Sequence, residues 1–157
     1  MPGDAKVDAY RPDAYLRTTG TPTPDKDAML PGMNDPYKAA GTADNSEVSR
    51  LVLIMGKDGF KPDVTAYYFM QYVHIGLGEF GFDAGGQFFR FVFSDIQPKL
   101  VTVRGRGLLR ICDYISLRRM PWIRQADRDF RLLDGAADGE PVITRIEVSD
   151  WVRLQEG

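Results

Sequence analysis

The chain has 157 residues, 43% hydrophobic and 11% aromatic, with a formal net charge of −2, a size and composition that predict one domain with ample material for a core. Its lone cysteine, Cys112, excludes an intramolecular disulfide framework; its lone histidine, His74, excludes Cys/His zinc sites and is the only residue a histidine-dependent triad could use. The N-terminal stretch MPGDAKVDAYRPDAYLRTTG lacks the apolar core of a signal peptide, and no run of about 18 apolar residues occurs. The expected location is therefore cytoplasmic, with no membrane anchor.

Residues 1–47 hold six of the ten prolines among Gly, Asp, Thr and Ala, with no sustained apolar period, and are expected to form a disordered tail. Its sparse anchors include Tyr10, Tyr15, Leu30 and Tyr37, and docking of some of them as an arm is the alternative. A single α+β domain is expected over residues 48–157. There SRLVLIMG reads as a buried strand closed by Gly56. The aromatic and β-branched TAYYFMQYVHI predicts a second strand with Tyr67, Phe69, Val73 and Ile75 on one face, a helix from Asp63 being the alternative.

The sharpest local feature is a hairpin: FGF, a turn over residues 83–86, then QFFRFVF with Phe89, Phe91 and Phe93 on one side. KLVTV adds a strand. Leu108, Ile111, Cys112 and Ile115 then fall at i, i+3, i+4 and i+7, the stripe of an amphipathic helix that Pro121 is expected to stop. A polar loop over 126–141 leads to VITRIEVSDWV, a last strand with Val142, Thr144, Ile146 and Val148 on one face. Strands, one helix, then a strand is an order that predicts an α+β fold: a mostly antiparallel sheet with one main amphipathic helix packed on it.

GLGEFG at 76–81 matches the dinucleotide pattern GxGxxG, but the following sequence continues as a hairpin rather than opening a helix, so its glycines are read as relief of crowding in a strand and no cofactor is expected. His74 is read as a half-exposed sheet residue, and Cys112 as a small hydrophobe on the helical stripe. Asp127 and Asp129, or Asp134 and Asp138, sit in the polar loop without calcium-loop spacing, and no metal site is expected.

Charge is distributed unevenly: residues 99–131 carry nine basic and three acidic groups, +6, against −3 over 1–48, −1 over 49–98 and −4 over 132–157. The basic segment holds Lys99, Arg104, Arg106, Arg110, Arg118, Arg119, Arg124, Arg128 and Arg131, with Trp122 among them. Arginine favours planar bidentate partners such as phosphate and carboxylate, whereas charge at a helix end and neutralisation by the acidic flanks account for part of the excess without a ligand. The expected function is a non-enzymatic protein-interaction or adaptor module, binding a protein partner or a second copy of itself. The alternative is a nucleic-acid-binding accessory protein whose surface comprises Arg104, Arg106, Arg110, Arg118, Arg119, Arg124 and Trp122. An enzyme would need His74 inside a concave pocket.

Overall fold

The computed structural model describes residues 29–32, 34–56, 65–94, 96–127 and 139–151. Among the described residues, eight strands and one α-helix follow one another as β1 (Ala40–Gly41), β2 (Arg50–Met55), β3 (Ala66–Gln71), a single 3₁₀ turn (Tyr72–His74), β4 (Ile75–Asp83), β5 (Gly86–Phe93), β6 (Lys99–Arg106), α1 (Leu109–Ser116), β7 (Trp122–Arg124) and β8 (Val142–Asp150). The α+β expectation holds, but the strands form two four-stranded sheets, ordered β1-β7-β2-β3 and β4-β5-β6-β8. All pairings are antiparallel except β2 with β7. The 3₁₀ turn carries the chain from the first sheet to the second, with the His74 carbonyl accepting from the Ser94 amide at 2.7 Å. Strand periodicity says which side chains share a face, but not which sheet a strand joins.

One core joins both sheets to the helix: Leu51, Leu53 and Met70 of the first, Phe89, Val101 and Ile146 of the second, and Leu108 and Ile111. The continuous apolar run of β2 is buried on both faces, because Val52 and Ile54 pack with Trp122 in a second cluster against which Leu30 lies. The hairpin forms as expected, with Phe82 opposite Gln87, Asp83 opposite Gly86, and Gly86 at φ +104° closing the turn. Phe89, Phe91 and Phe93 are all buried. In β3 the face bearing Phe69 is the outward one, 54% exposed, while Met70 is buried; beyond the strand, the Tyr72 hydroxyl donates to the Met120 carbonyl at 2.6 Å.

Two local expectations are corrected. The helix ends at Ser116, well before Pro121: Arg119 N–H donates to the Tyr114 carbonyl and Arg118 N–H to that of Ile115, with Arg118 left-handed at φ 59°. That is a Schellman stop with arginine where glycine is usual. In β8 the alternation of Val142, Thr144, Ile146 and Val148 shifts phase, because Arg104 lies opposite Arg145 but Gly105 lies opposite Ile143. The bulge buries Ile143, and the Thr144 hydroxyl donates to the Arg104 carbonyl at 3.2 Å. Only glycine fits at 105, where a Cβ would stand 1.9 Å from the Val142 carbonyl oxygen.

Part of the stretch assigned to the N-terminal tail packs on the domain, as in the docked-arm alternative. Ala39, Ala40 and Ala43 are buried, β1 pairs with β7, and the Trp122 indole donates to the Met29 carbonyl at 2.9 Å. The Tyr37 hydroxyl donates to the Arg124 carbonyl at 3.0 Å and accepts from the Ile143 amide at 2.9 Å, tying the end of β7 to β8. Gln125, buried, accepts from the Ile146 amide at 2.9 Å, and the Ala126 amide donates to the Ile143 carbonyl at 2.8 Å. These three contacts close the outer edge of β8 at Ile143 and Ile146. The disorder expected over 1–47 falls, for residues 1–28, outside the described residues.

Candidate functional site

A groove of about 1410 Å³ opens between the docked segment, the β4–β5 hairpin and α1. Its apolar wall comes from strand alternation and helix phase. Phe80 and Phe82, two apart on β4, project to one face and meet edge to face at 5.4 Å, Phe82 being 71% exposed. Leu109 lies one position off the buried stripe of α1 and is 62% exposed at the groove. Gln87 fixes the helix against the hairpin by accepting from the Leu108 amide at 2.9 Å. On the far side the Tyr114 hydroxyl bonds Asp44 at 3.1 Å, holding the docked segment to α1.

The charged side chains at this groove are Lys38, Arg110 and Glu140. Arg110 lies in the first turn of α1 and is exposed; no acidic residue shares that turn. The Tyr37 ring also lines the groove, with Arg124 6.0 Å from its centroid; burial of its hydroxyl pushes the pKa well above the usual tyrosine value. These side chains can hold an apolar ligand and orient it by a few polar contacts.

The basic residues expected to form one surface are divided by the fold. Arg104 makes a bidentate pair with Asp83 at 2.9 and 3.0 Å and lies 5.4 Å from the Phe88 centroid, with Arg90 at 4.6 Å from the same ring. Hydrogen bonds from Arg104, and then from the Gly85 amide, hold the Asp83 carboxyl below its usual range. Arg119 donates to the Asp44 carbonyl at 2.7 Å, and Arg124 to that of Asp35 at 3.4 Å, so both serve the docked segment. Trp122 is 2% exposed and is corrected from a base-stacking candidate to a core residue. Arg106, Arg110 and Arg118 are exposed; Arg128 and Arg131, with Asp129, Asp134 and Asp138, lie outside the described residues.

His74 lies outside the groove, its ring 6.0 Å from Phe93 and nearly perpendicular to it. Burial, with Asp113 nearby, pushes the Cys112 thiol up, away from the reactive thiolate. GLGEFG lies within β4 and opens no helix. Among the described residues, no cluster of three or more His, Cys, Asp or Glu side chains could hold a metal ion, and no helix is long and apolar enough to cross a membrane. Sequence reading named Tyr37 only as an anchor and passed over Phe82 and Leu109; the one available signal was an apolar leucine directly off the helical stripe.

Fold and groove together define an α+β chain with a concave, aromatic-walled groove. In comparisons with known proteins, no family model, no curated protein and no solved structure matched the chain.

Proposed function

We propose that this protein is a binding module that holds a segment of a partner protein in the groove beside α1. The supporting observation is that two large exposed apolar side chains, Phe82 at 71% and Leu109 at 62%, line one concavity. Apolar side chains grouped in this way mark interaction surfaces, whereas scattered ones do not. The segment that fits carries a large apolar anchor for Phe80, Phe82 and Leu109 and a carboxylate for Arg110, anchors in pockets being where interface energy concentrates.

The test is selection from a random peptide library on the full chain, followed by titration against Phe82→Asp and Leu109→Asp. Peptides combining an aromatic or branched anchor with a nearby acid, bound at least about tenfold more weakly by both variants, are expected. The competing outcome is binding of labelled DNA or RNA that weakens steeply from about 50 to about 200 mM salt and is lost in Arg106→Ala/Arg118→Ala. That result, with no groove-dependent peptide, would refute the proposal in favour of nucleic acid.

A further inference from the structure

Two open sheets have four edges, and an unprotected edge is a template for another strand. Three of the four are protected. β1 is two residues long. β4 is interrupted by an irregularity between Ile75 and Gly78 and has α1 beside it. β8 is capped at Ile143 and Ile146 by the Tyr37 hydroxyl, the Gln125 side chain and the Ala126 amide, and its remainder carries the charges of Glu147 and Asp150. Among the described residues β3 has none of these devices: its six residues, AYYFMQ, include no charge and no proline, and they pair with β2 in unbroken register from Ala66 opposite Met55 to Gln71 opposite Arg50.

The phase of that register identifies the groups left over. The Tyr72 amide donates to the Ser49 carbonyl, so Met70, Tyr68 and Ala66, at steps of two, turn their backbone groups toward β2. On the other side of β2, the Val52 amide donates to Pro121 and the Ile54 carbonyl accepts from Gln125, the alternation this phase requires. The amides and carbonyls of Tyr67, Phe69 and Gln71 therefore point away from the sheet, and β2 is the only strand paired with β3 among the described residues.

We infer that β3 pairs antiparallel with β3 of a second copy, joining two first sheets into one eight-stranded sheet. With the two-fold axis at Phe69, Phe69 faces its own counterpart and Tyr67 faces Gln71 of the second copy, so outward donors meet outward acceptors throughout, an isologous contact in which one strand supplies both halves. Charge permits this contact. The nearest cation to the axis on β2, Arg50, lies over its own Phe69 ring at 5.1 Å, so each guanidinium is already engaged with an aromatic face of its own copy. The outward face adds Phe69, 54% exposed, and Val73, 70% exposed just past the strand. A six-residue edge buries less than the roughly 800 Å² per partner of a stable interface, so the dimer is concentration-dependent, with Kd on the order of 10–100 μM. This contact is separate from the groove and does not depend on it.

Sedimentation velocity of the full chain from about 1 to about 500 μM tests it, since that range brackets the expected Kd. The wild type should pass from monomer to dimer. Phe69→Lys should weaken association at least about tenfold, because a charge at the edge opposes pairing. Ile96→Lys, at a loop residue 97% exposed, should leave association unchanged. Hydrogen exchange supplies the second measurement: the Tyr67, Phe69 and Gln71 amides should slow as concentration rises, while Tyr68 and Met70 stay protected at all concentrations. A monomer throughout, a dimer indifferent to Phe69→Lys, or outward amides that exchange equally fast at both ends of the range would overturn the inference.

Discussion

Replacing Tyr37 with phenylalanine removes one oxygen atom and two hydrogen bonds at the junction of the sheets. The hydroxyl donates to the Arg124 carbonyl and accepts from the Ile143 amide, at 3.0 and 2.9 Å, and the phenyl ring that remains offers neither a donor nor an acceptor. Each backbone group left without its partner costs about 1–2 kcal/mol, so Tyr37→Phe should destabilise the domain by about 2–4 kcal/mol. At about 4 °C per kcal/mol for a domain of this size, Tm falls by roughly 8–16 °C. Thermal and urea unfolding followed by circular dichroism measure both quantities, and faster exchange of the Ile143 amide locates the loss. A destabilisation below about 0.5 kcal/mol, smaller than one ordinary hydrogen bond, would refute the idea that this hydroxyl ties β7 to β8.

The same residue gives a pH prediction. Burial raises the pKa of Tyr37, and likewise that of Tyr72, above the ordinary value of about 10. The folded state therefore holds these protons after the unfolded chain has begun to release them. Stability from both groups is intact below about pH 10 and declines as pH rises above it toward the folded pKa values. Tyr37→Phe should flatten that alkaline decline, measured as the urea midpoint between about pH 9 and pH 11.

Other substitutions probe other parts of the fold. Gly105→Ala drives a Cβ to 1.9 Å from the Val142 carbonyl oxygen and should cost about 2–4 kcal/mol in urea unfolding, or move the bulge, which the amide spectrum of β8 would show. Arg118→Gly relieves a side chain held at φ 59° and should stabilise by about 0.5–1 kcal/mol; a loss of stability would show that the side chain contributes more than the backbone strain it imposes. Gln125→Leu strands the Ile146 amide in the core and should cost about 1–3 kcal/mol by thermal unfolding. An NMR titration should place Asp83 below the usual aspartate range, and Arg104→Gln should return it upward with little effect on stability, because the pair is largely solvated.

Local chemistry alone determined much of this molecule. The run RLVLIM had to be a buried strand, the Asp-Ala-Gly-Gly turn dictated the hairpin register, and the stripe Leu108, Ile111, Ile115 specified the helix and its inward face. These features depend on residues near one another in the chain, where periodicity and turn geometry act directly. Tertiary structure decided the rest. A bulge at Gly105 reversed the phase of β8, and a left-handed Arg118 ended the helix short of Pro121. A basic segment uniform in sequence was divided among Asp83, the carbonyls of residues 35 and 44, and solvent. The groove could not be foreseen for the same reason: Tyr37, Phe82 and Leu109 meet only because Trp122, the Tyr37 hydroxyl and β1 hold the docked segment against the domain. Contacts between residues so far apart in sequence leave no period or spacing to read, since they exist only once the chain has closed on itself.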